Sequence, residues 1–244
     1  MRESRKVQGV KKIHIASGIR MDLARNETQY LDELVNHHVG GHLKVAPEHV
    51  SDRVLSHMKK PPQATFEEFT KRFRAASKRA GKDQFLVPYF IASHPGSGLE
   101  EMIELARFLK KSGHRPRQVQ DFIPAPMDIA TCMFHTGIDP ESMKPVRVAT
   151  RPSDRALQRA LLQFFLPENY FEVKKALKLA GREDLIGDGP ECLIRAQPSR
   201  LARDARDTQA AAKAMRTGAG EQAGNADRGK PGGYRRAARK GERN

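Results

Sequence analysis

Four short apolar runs along the chain each give way to a cluster of Ser, Gly, Pro, Glu or His, and a helical pattern soon follows. The runs are residues 12–16 (KIHIA, then SGIR), 43–46 (LKVA, then PEH), 85–92 (FLVPYFIA, then SHPGS) and 118–122 (QVQDF, then IPAP). Runs of this length bounded by turn residues predict strands, and the segments between them carry a 3.6-residue period. Residues 28–38 place Tyr30, Leu31, Leu34 and Val35 on one helical face, with Gly40 and Gly41 as the stop. Ser51 is set to cap a short helix that halts before Pro61 and Pro62. Thr65 and Glu68 have capping-box spacing ahead of a helix carrying Phe66, Phe69 and Phe73, closed by Gly81. Ser97 and Glu100 repeat that spacing ahead of Met102, Ile103, Leu105, Ala106 and Leu109, and Gly113 ends the stripe.

The resulting order, β-α-β-α-α-β-α-β, predicts an α/β fold with a parallel sheet and helical crossovers. Parallel strands bring their carboxyl ends to one mouth, where folds of this class bind ligands. Pro88, inside the third run, predicts an edge position, a bulge or a bend near a ligand, because it cannot donate to the ladder. After Phe122 the pattern changes. Residues 123–153 are Pro-rich and irregular, with one short helix expected at Asp128–His135. Two further helices are expected at Asp154–Leu166 and Glu168–Ala180, with Pro167 in the first turn of the latter and Gly181 as its stop.

From Gln197 onward the chain is Ala, Gly, Arg and Lys with almost no large apolar residue. Such a segment buries too little surface to offset chain entropy and is expected to be disordered, with helical character only in ARDARDTQAAAKAMR. Three regions follow: residues 1–125, 126–196 and 197–244. Charge sharpens the division. The chain holds 44 Lys and Arg against 29 Asp and Glu, a net of +15, of which residues 197–244 supply 12 basic and 5 acidic side chains. Nearly half the surplus thus lies in the tail. A nucleic-acid-binding module acting through that tail, weakly and by charge, is the alternative functional reading. The plain reading is a solubilising extension.

Cys132 and Cys192 form no CxxC pair, which favours a reducing compartment and leaves no metal site made by this chain alone. The charged amino terminus lacks the apolar core of a signal peptide, and no run approaches the roughly 20 apolar residues of a membrane span. A cytoplasmic location without membrane attachment is expected. No H-E-x-x-H, G-x-S-x-G or P-loop pattern is present. Candidate chemistry therefore rests on the strand-end clusters. Each has a plain reading too: Ser17 and Gly18 as a turn, Arg20 as a surface ion pair, Glu48 or His49 as a helix cap. His94-Pro95-Gly96-Ser97 is the sharpest, since a Gly just before a helix start allows close backbone approach beside free N–H groups.

At these clusters the chain resembles a known family. IASGIRMDLA, LKVAPEHVSDRVLSHMKKP, QFLVPYFIASHPGS and QVQDFIPAPMDIATCMFHTGIDP are similar to the carboxyl-terminal half of YgiQ-type radical SAM proteins. ALQRALLQFF, PENYFEVKKALKLAGREDLIG and PECLI are similar to that family's carboxyl-terminal extension. The resemblance spans roughly residues 9–196 and leaves the tail outside. It implies the carboxyl-terminal part of a partial, TIM-like (β/α) barrel, a small helical extension, and two cofactors in the complete protein: S-adenosylmethionine and a [4Fe–4S] cluster that cleaves it to a 5′-deoxyadenosyl radical. It places Ser17 and Arg20 near the ribose or carboxylate of S-adenosylmethionine, Glu48 in the turn after the next strand, and His94, Pro95, Gly96 and Ser97 in a turn against adenine. The C-x-x-x-C-x-x-C cluster motif is absent, and thiolates are what hold the iron. The expectation is a barrel lacking its amino-terminal half, inactive alone and complemented by that half or a separate chain; the substrate stays unassigned.

Overall fold

The computed structural model describes residues 1–22 and 28–226. A short helix, α1 (Arg2–Arg5), precedes an extended stretch, and α2 (Thr28–Glu33) then passes into a π-helical turn over Leu34–His38. Next come β1 (His42–Glu48), α3 (Asp52–His57), α4 (Gln63–Arg79), β2 (Phe85–Ala92), α5 (Leu99–Ser112) and β3 (Gln120–Asp121). The three strands are parallel in the order β1-β2-β3. The chain is α/β, with helical crossovers between successive strands, as the alternation predicts.

The first apolar run is not a strand. Residues 12–16 reach the body at His38, the end of the π turn: Ile15 N–H donates to its carbonyl (3.0 Å) and Ile13 O lies 2.9 Å from its Nδ1. Contact with the sheet is delayed to a single bridge, Ile19 beside Val45, where Ile19 N–H donates to Lys44 O (3.1 Å). The fourth run shortens to two strand residues, Gln120 and Asp121, and just ahead of it Gln163, the residue after α7 (Pro152–Leu162), donates through Nε2 to Pro116 O (3.2 Å) and Arg117 O (2.9 Å).

One core packs α2, the π turn and α4 against β1: Leu31, Leu34, Val35, Leu43, Val45, Phe69 and Phe73 are buried there. The Phe stripe is core, as its spacing implies. Gln84 secures the π turn by donating to Val35 O (3.0 Å) and Val39 O (2.9 Å), carbonyls that the turn leaves without helical partners. The capping predictions fail in an instructive way. Helix α4 starts two residues before Thr65, its Gln63 N–H accepted by Asp52 Oδ1 (2.8 Å) from α3. Helix α5 starts one residue late: Glu101 accepts from Gly98 N–H (2.8 Å), which frees Ser97 for a different bond. Ser51 makes no side-chain cap bond.

Beyond β3 lie α6 (Ile129–Thr136), capped by Asp128, then α7 and α8 (Tyr170–Leu179). A second compact unit begins at Ser199 and contains α9 (Arg200–Ala226). The disorder expected from Gln197 is therefore corrected for this stretch. An Ala-rich chain forms helix without burying much surface, and Ser199 Oγ accepts from Ala202 N–H (3.2 Å) at its start. The remainder of the expected disordered tail, residues 227–244, lies outside the described residues. Among the described residues no helix is long and apolar enough to cross a membrane.

Candidate functional site

Pro88 acts as a bulge marker. It pairs opposite Val45, and the next pair is Glu48 with Phe90, so β1 spends three residues where β2 spends two. The edge reading is excluded, since β2 bonds β1 on one side and β3 on the other. The bulge ends β1 with Glu48 in the left-handed region (φ 65), and β2 is followed by Ser93 in the same region (φ 64). An ordinary side chain held there costs about 1–2 kcal/mol. Two such residues at adjacent strand ends mark a place where the surroundings over-determine the backbone.

These ends form a cavity of about 620 Å³, lined by Glu48, His57, Lys59, His94 and Asp128 together with apolar groups including Ile91, Phe122 and Met127. Glu48 is held by Lys60, whose Nζ lies 2.8 Å from Oε1 and also donates to Ala46 O (3.2 Å). His94 packs edge-on against Phe122, ring centres 5.2 Å apart. Its Nδ1 lies 2.8 Å from Pro95 O. A carbonyl only accepts, so Nδ1 carries the proton and Nε2 keeps its lone pair. Burial holds the His94 pKa below the usual histidine value, opposed by its bond to Pro95 O and the charges of Glu48 and Asp128, and reinforced by His57. The site thus offers a neutral imidazole acceptor beside a carboxylate.

Beneath them sits His49, 1% exposed. Its Nδ1 accepts from Ser51 N–H (3.0 Å), so Nε2 carries hydrogen, and that atom has no partner. Burial, and secondarily the nearness of His94, pushes its pKa down to about 3. The Ser93 hydroxyl is also buried without a partner.

The turn after β2 differs from expectation. Its amides are committed internally: Ser93 N–H to Gln158 Oε1 (2.9 Å), Gly96 N–H to Arg147 O (2.8 Å), Ser97 N–H to His94 O (2.9 Å) and Gly98 N–H to Glu101. Pro95, Gly96 and Ser97 are buried, whereas His94 lines the cavity. Gly96 is required there, because it sits at φ 89 and an added methyl would fall 2.4 Å from His57 Cδ2. Glu48 and His94 are brought together. Arg20 stands apart from the lining, exposed and paired with Asp22 (2.6 Å), and its pKa is raised by that bond, by the Asp22 charge and, more weakly, by Glu48. Ser17 is exposed and outside the lining.

Four positions that hold the candidate site together escape the sequence reading. Gln158 of α7 bonds the turn. Arg159 pairs with Asp121 (2.6 Å), and Arg155 donates to Phe122 O (2.6 Å), both at the end of β3. Lys60 fixes Glu48. The only hint available in sequence is the i, i+3, i+4 spacing of Arg155, Gln158 and Arg159 on one helix.

Comparisons with known proteins converge on one family. A family model described as a domain of unknown function, DUF3362, matches residues 117–243, and so reaches into the basic segment that the resemblance left outside. A UPF0313 protein of Clostridium perfringens (strain 13 / Type A) is 50% identical over 197 residues, covering 80% of this chain and 30% of that protein. One from Clostridium botulinum (strain 657 / Type Ba4) is 48% identical over 196 residues, covering 80% of this chain and 31% of its own length. The chain spans about 30% of the length of the curated relatives it matches.

Proposed function

The chain belongs to the UPF0313, or YgiQ-type, family, and from that membership we propose that its sheet is the carboxyl-terminal part of a partial (β/α) barrel in a radical SAM enzyme. The mouth between β1 and β2 takes the adenosyl part of S-adenosylmethionine. One observation carries the reading: Glu48 and His94, at the carboxyl ends of adjacent parallel strands, line the same cavity. That cavity, at about 620 Å³, lies within the usual range for small-molecule sites.

The chemistry fits the adenosyl group. The Glu48 carboxylate can accept from two ribose hydroxyls, with Lys60 fixing its position. His94 Nε2, kept neutral by burial, can accept from the exocyclic amine of adenine or from a hydroxyl. Phe122, Ile91 and Met127 supply apolar walls. Pro95, Gly96 and Ser97 act as the frame of the turn rather than as direct contacts. Arg20 would meet a carboxylate only by exchanging Asp22 for it.

The iron–sulfur cluster does not fit these residues. Among the described residues no group of three or more His, Cys, Asp or Glu could hold a metal ion, and Cys132 and Cys192 are both free thiols. In the complete protein the cluster would supply the electron that cleaves S-adenosylmethionine. Its ligands belong, in this reading, to the part of the relatives' length that this chain does not span, on the same polypeptide or a partner. The nucleic-acid reading gains no comparable support: Arg200 and Arg206 of α9 lie 3.8 and 3.5 Å from Asp204 and Asp207, which dilutes the positive field of the described helix.

Saturation-transfer NMR with S-adenosylmethionine tests the proposal. Transfer to adenine and ribose protons is expected for the parent chain, with about tenfold weaker binding in Glu48→Gln and in His94→Ala, the loss of one hydrogen bond to a charged or buried partner. Equal binding by both variants would refute it.

A further inference from the structure

Helix α7 carries Arg155, Gln158 and Arg159 on one face, and that face meets the carboxyl ends of β2 and β3. Gln158 is 3% exposed, and both ends of its amide are used. Oε1 accepts from Ser93 N–H (2.9 Å) and from Ser97 Oγ (3.1 Å), while Nε2 donates to Ser97 O (3.0 Å). One side chain therefore grips the turn at both its ends, and Ser93 is the residue held at φ 64. Arg159 and Arg155 fix Asp121 and the Phe122 carbonyl, and Phe122 is the ring against which His94 packs. A second strap closes the other side of the turn, where Gly96 N–H donates to Arg147 O (2.8 Å). The helix and the strap lie inside the matched residues 117–243, and the turn lies outside them.

We infer that Gln158 is a positioning residue, by which the family's domain of unknown function holds the turn after β2 so that His94 Nε2 faces the mouth. A buried amide whose partners are removed keeps its desolvation cost without the bonds that offset it, so helix and turn specify each other. The device is indifferent to which ligand occupies the mouth, and it stands or falls separately from the S-adenosylmethionine reading. An amide that merely fills a polar gap in the core would affect stability and nothing else. A positioning amide also controls the environment of His94, which is set by burial and by the groups facing it: Glu48 from β1, His57 from α3, Asp128 at the start of α6, and His49 below.

The test uses the ligand-free 244-residue chain, with histidine ¹H–¹⁵N spectra followed through a pH titration and His94 assigned by its loss in His94→Asn. In the parent chain His94 is expected as the Nδ1–H tautomer with a depressed pKa. In Gln158→Met the turn loosens, His94 gains solvent, its pKa rises toward 6.5 and the single-tautomer signature is lost. Gln158→Glu keeps the acceptor for Ser93 and Ser97 but sets a second oxygen against Ser97 O and adds a carboxyl whose charge itself acts on the His94 pKa, so for that variant loss of the single-tautomer signature is the expected readout. It also decides the matter should Gln158→Met fail to fold. A folded variant of either kind with unaltered His94 tautomer and titration, even with a lower Tm, would overturn the inference.

Discussion

The two ends of the sheet carry cavities of nearly equal size and opposite character. At the amino ends, about 630 Å³ is lined by Arg5, Lys11, Lys12, His14, His37 and Lys82, with Gly40, Gly41 and Gln84 at the strand starts. At the carboxyl ends, about 620 Å³ is lined by Glu48, Asp121 and Asp128, with His57, His94 and a single lysine, Lys59. Volume does not separate them. The carboxyl end holds left-handed Glu48 and Ser93, a histidine driven neutral by burial, and buried polar atoms on His49 and Ser93 without partners. The amino end is already spoken for by structural bonds: Lys82 Nζ donates to Val35 O and Asn36 O (3.1 and 2.6 Å), and Gln84 to the same turn. Where side chains are spent on the backbone, a cavity is a gap between elements. Strained backbone and uncommitted buried groups set the carboxyl end apart as the candidate site.

Acid should break this contrast most strongly. His49 has a folded pKa of about 3 against 6.5 for a free histidine. Between those values the unfolded chain binds the proton and the folded chain does not. Stability is therefore whole above about pH 6.5 and is lost as pH falls, at roughly 1.4 kcal/mol per unit. Chemical denaturation across pH 7 to 4 reads this slope directly. His49→Gln is expected to remove most of it, the rest of the slope belonging to His94 and His114, whose shifts have the same sign. An unchanged slope in His49→Gln would place the acid-sensitive group elsewhere.

A pair of glycine substitutions sharpens the comparison. Gly96→Ala adds a methyl against the His57 ring at a left-handed position, and a loss of about 2–4 kcal/mol is expected from overpacking and backbone strain together. Gly40→Ala at the amino end would bring a methyl 2.5 Å from His14 Nδ1, yet His14 is exposed and can swing aside, so a loss of under about 1 kcal/mol is expected. Urea midpoints for the two variants decide the order, and equal losses would erase the distinction. The smallest effect is expected at Lys60→Met: little change in Tm, because the pair with Glu48 is partly exposed, but weaker S-adenosylmethionine binding because Glu48 loses its anchor.

Local patterns were legible in the sequence, and long-range ones were not. The Phe66, Phe69 and Phe73 stripe, β2 to the residue, the stops at Gly81 and Gly113, and a short helix close to the expected Asp128–His135 all follow from neighbours in sequence. Glu48 and His94 line one cavity because strand direction alone sends their segments to one mouth. What failed did so through distant partners. Thr65 lost its cap to Asp52, Ser97 was drawn off to Gln158 some 61 residues away, and residues 12–16 bonded a helix end instead of a strand. Capping spacing shows that a bond is possible, but a buried competitor decides whether it forms. The commitment of the Ser93 and Gly96 amides to Gln158 and Arg147, both distant in sequence, has no local signature at all.

The central claim is that the carboxyl-end mouth, and not its amino-end counterpart, receives the ligand. Histidine spectra of the chain titrated with S-adenosylmethionine address it in one measurement, since His57 and His94 line one cavity and His14 and His37 the other. Saturable shifts at His94 and His57 with His14 and His37 unmoved are the predicted result. Shifts confined to His14 and His37, or none at any of the four, would contradict the account.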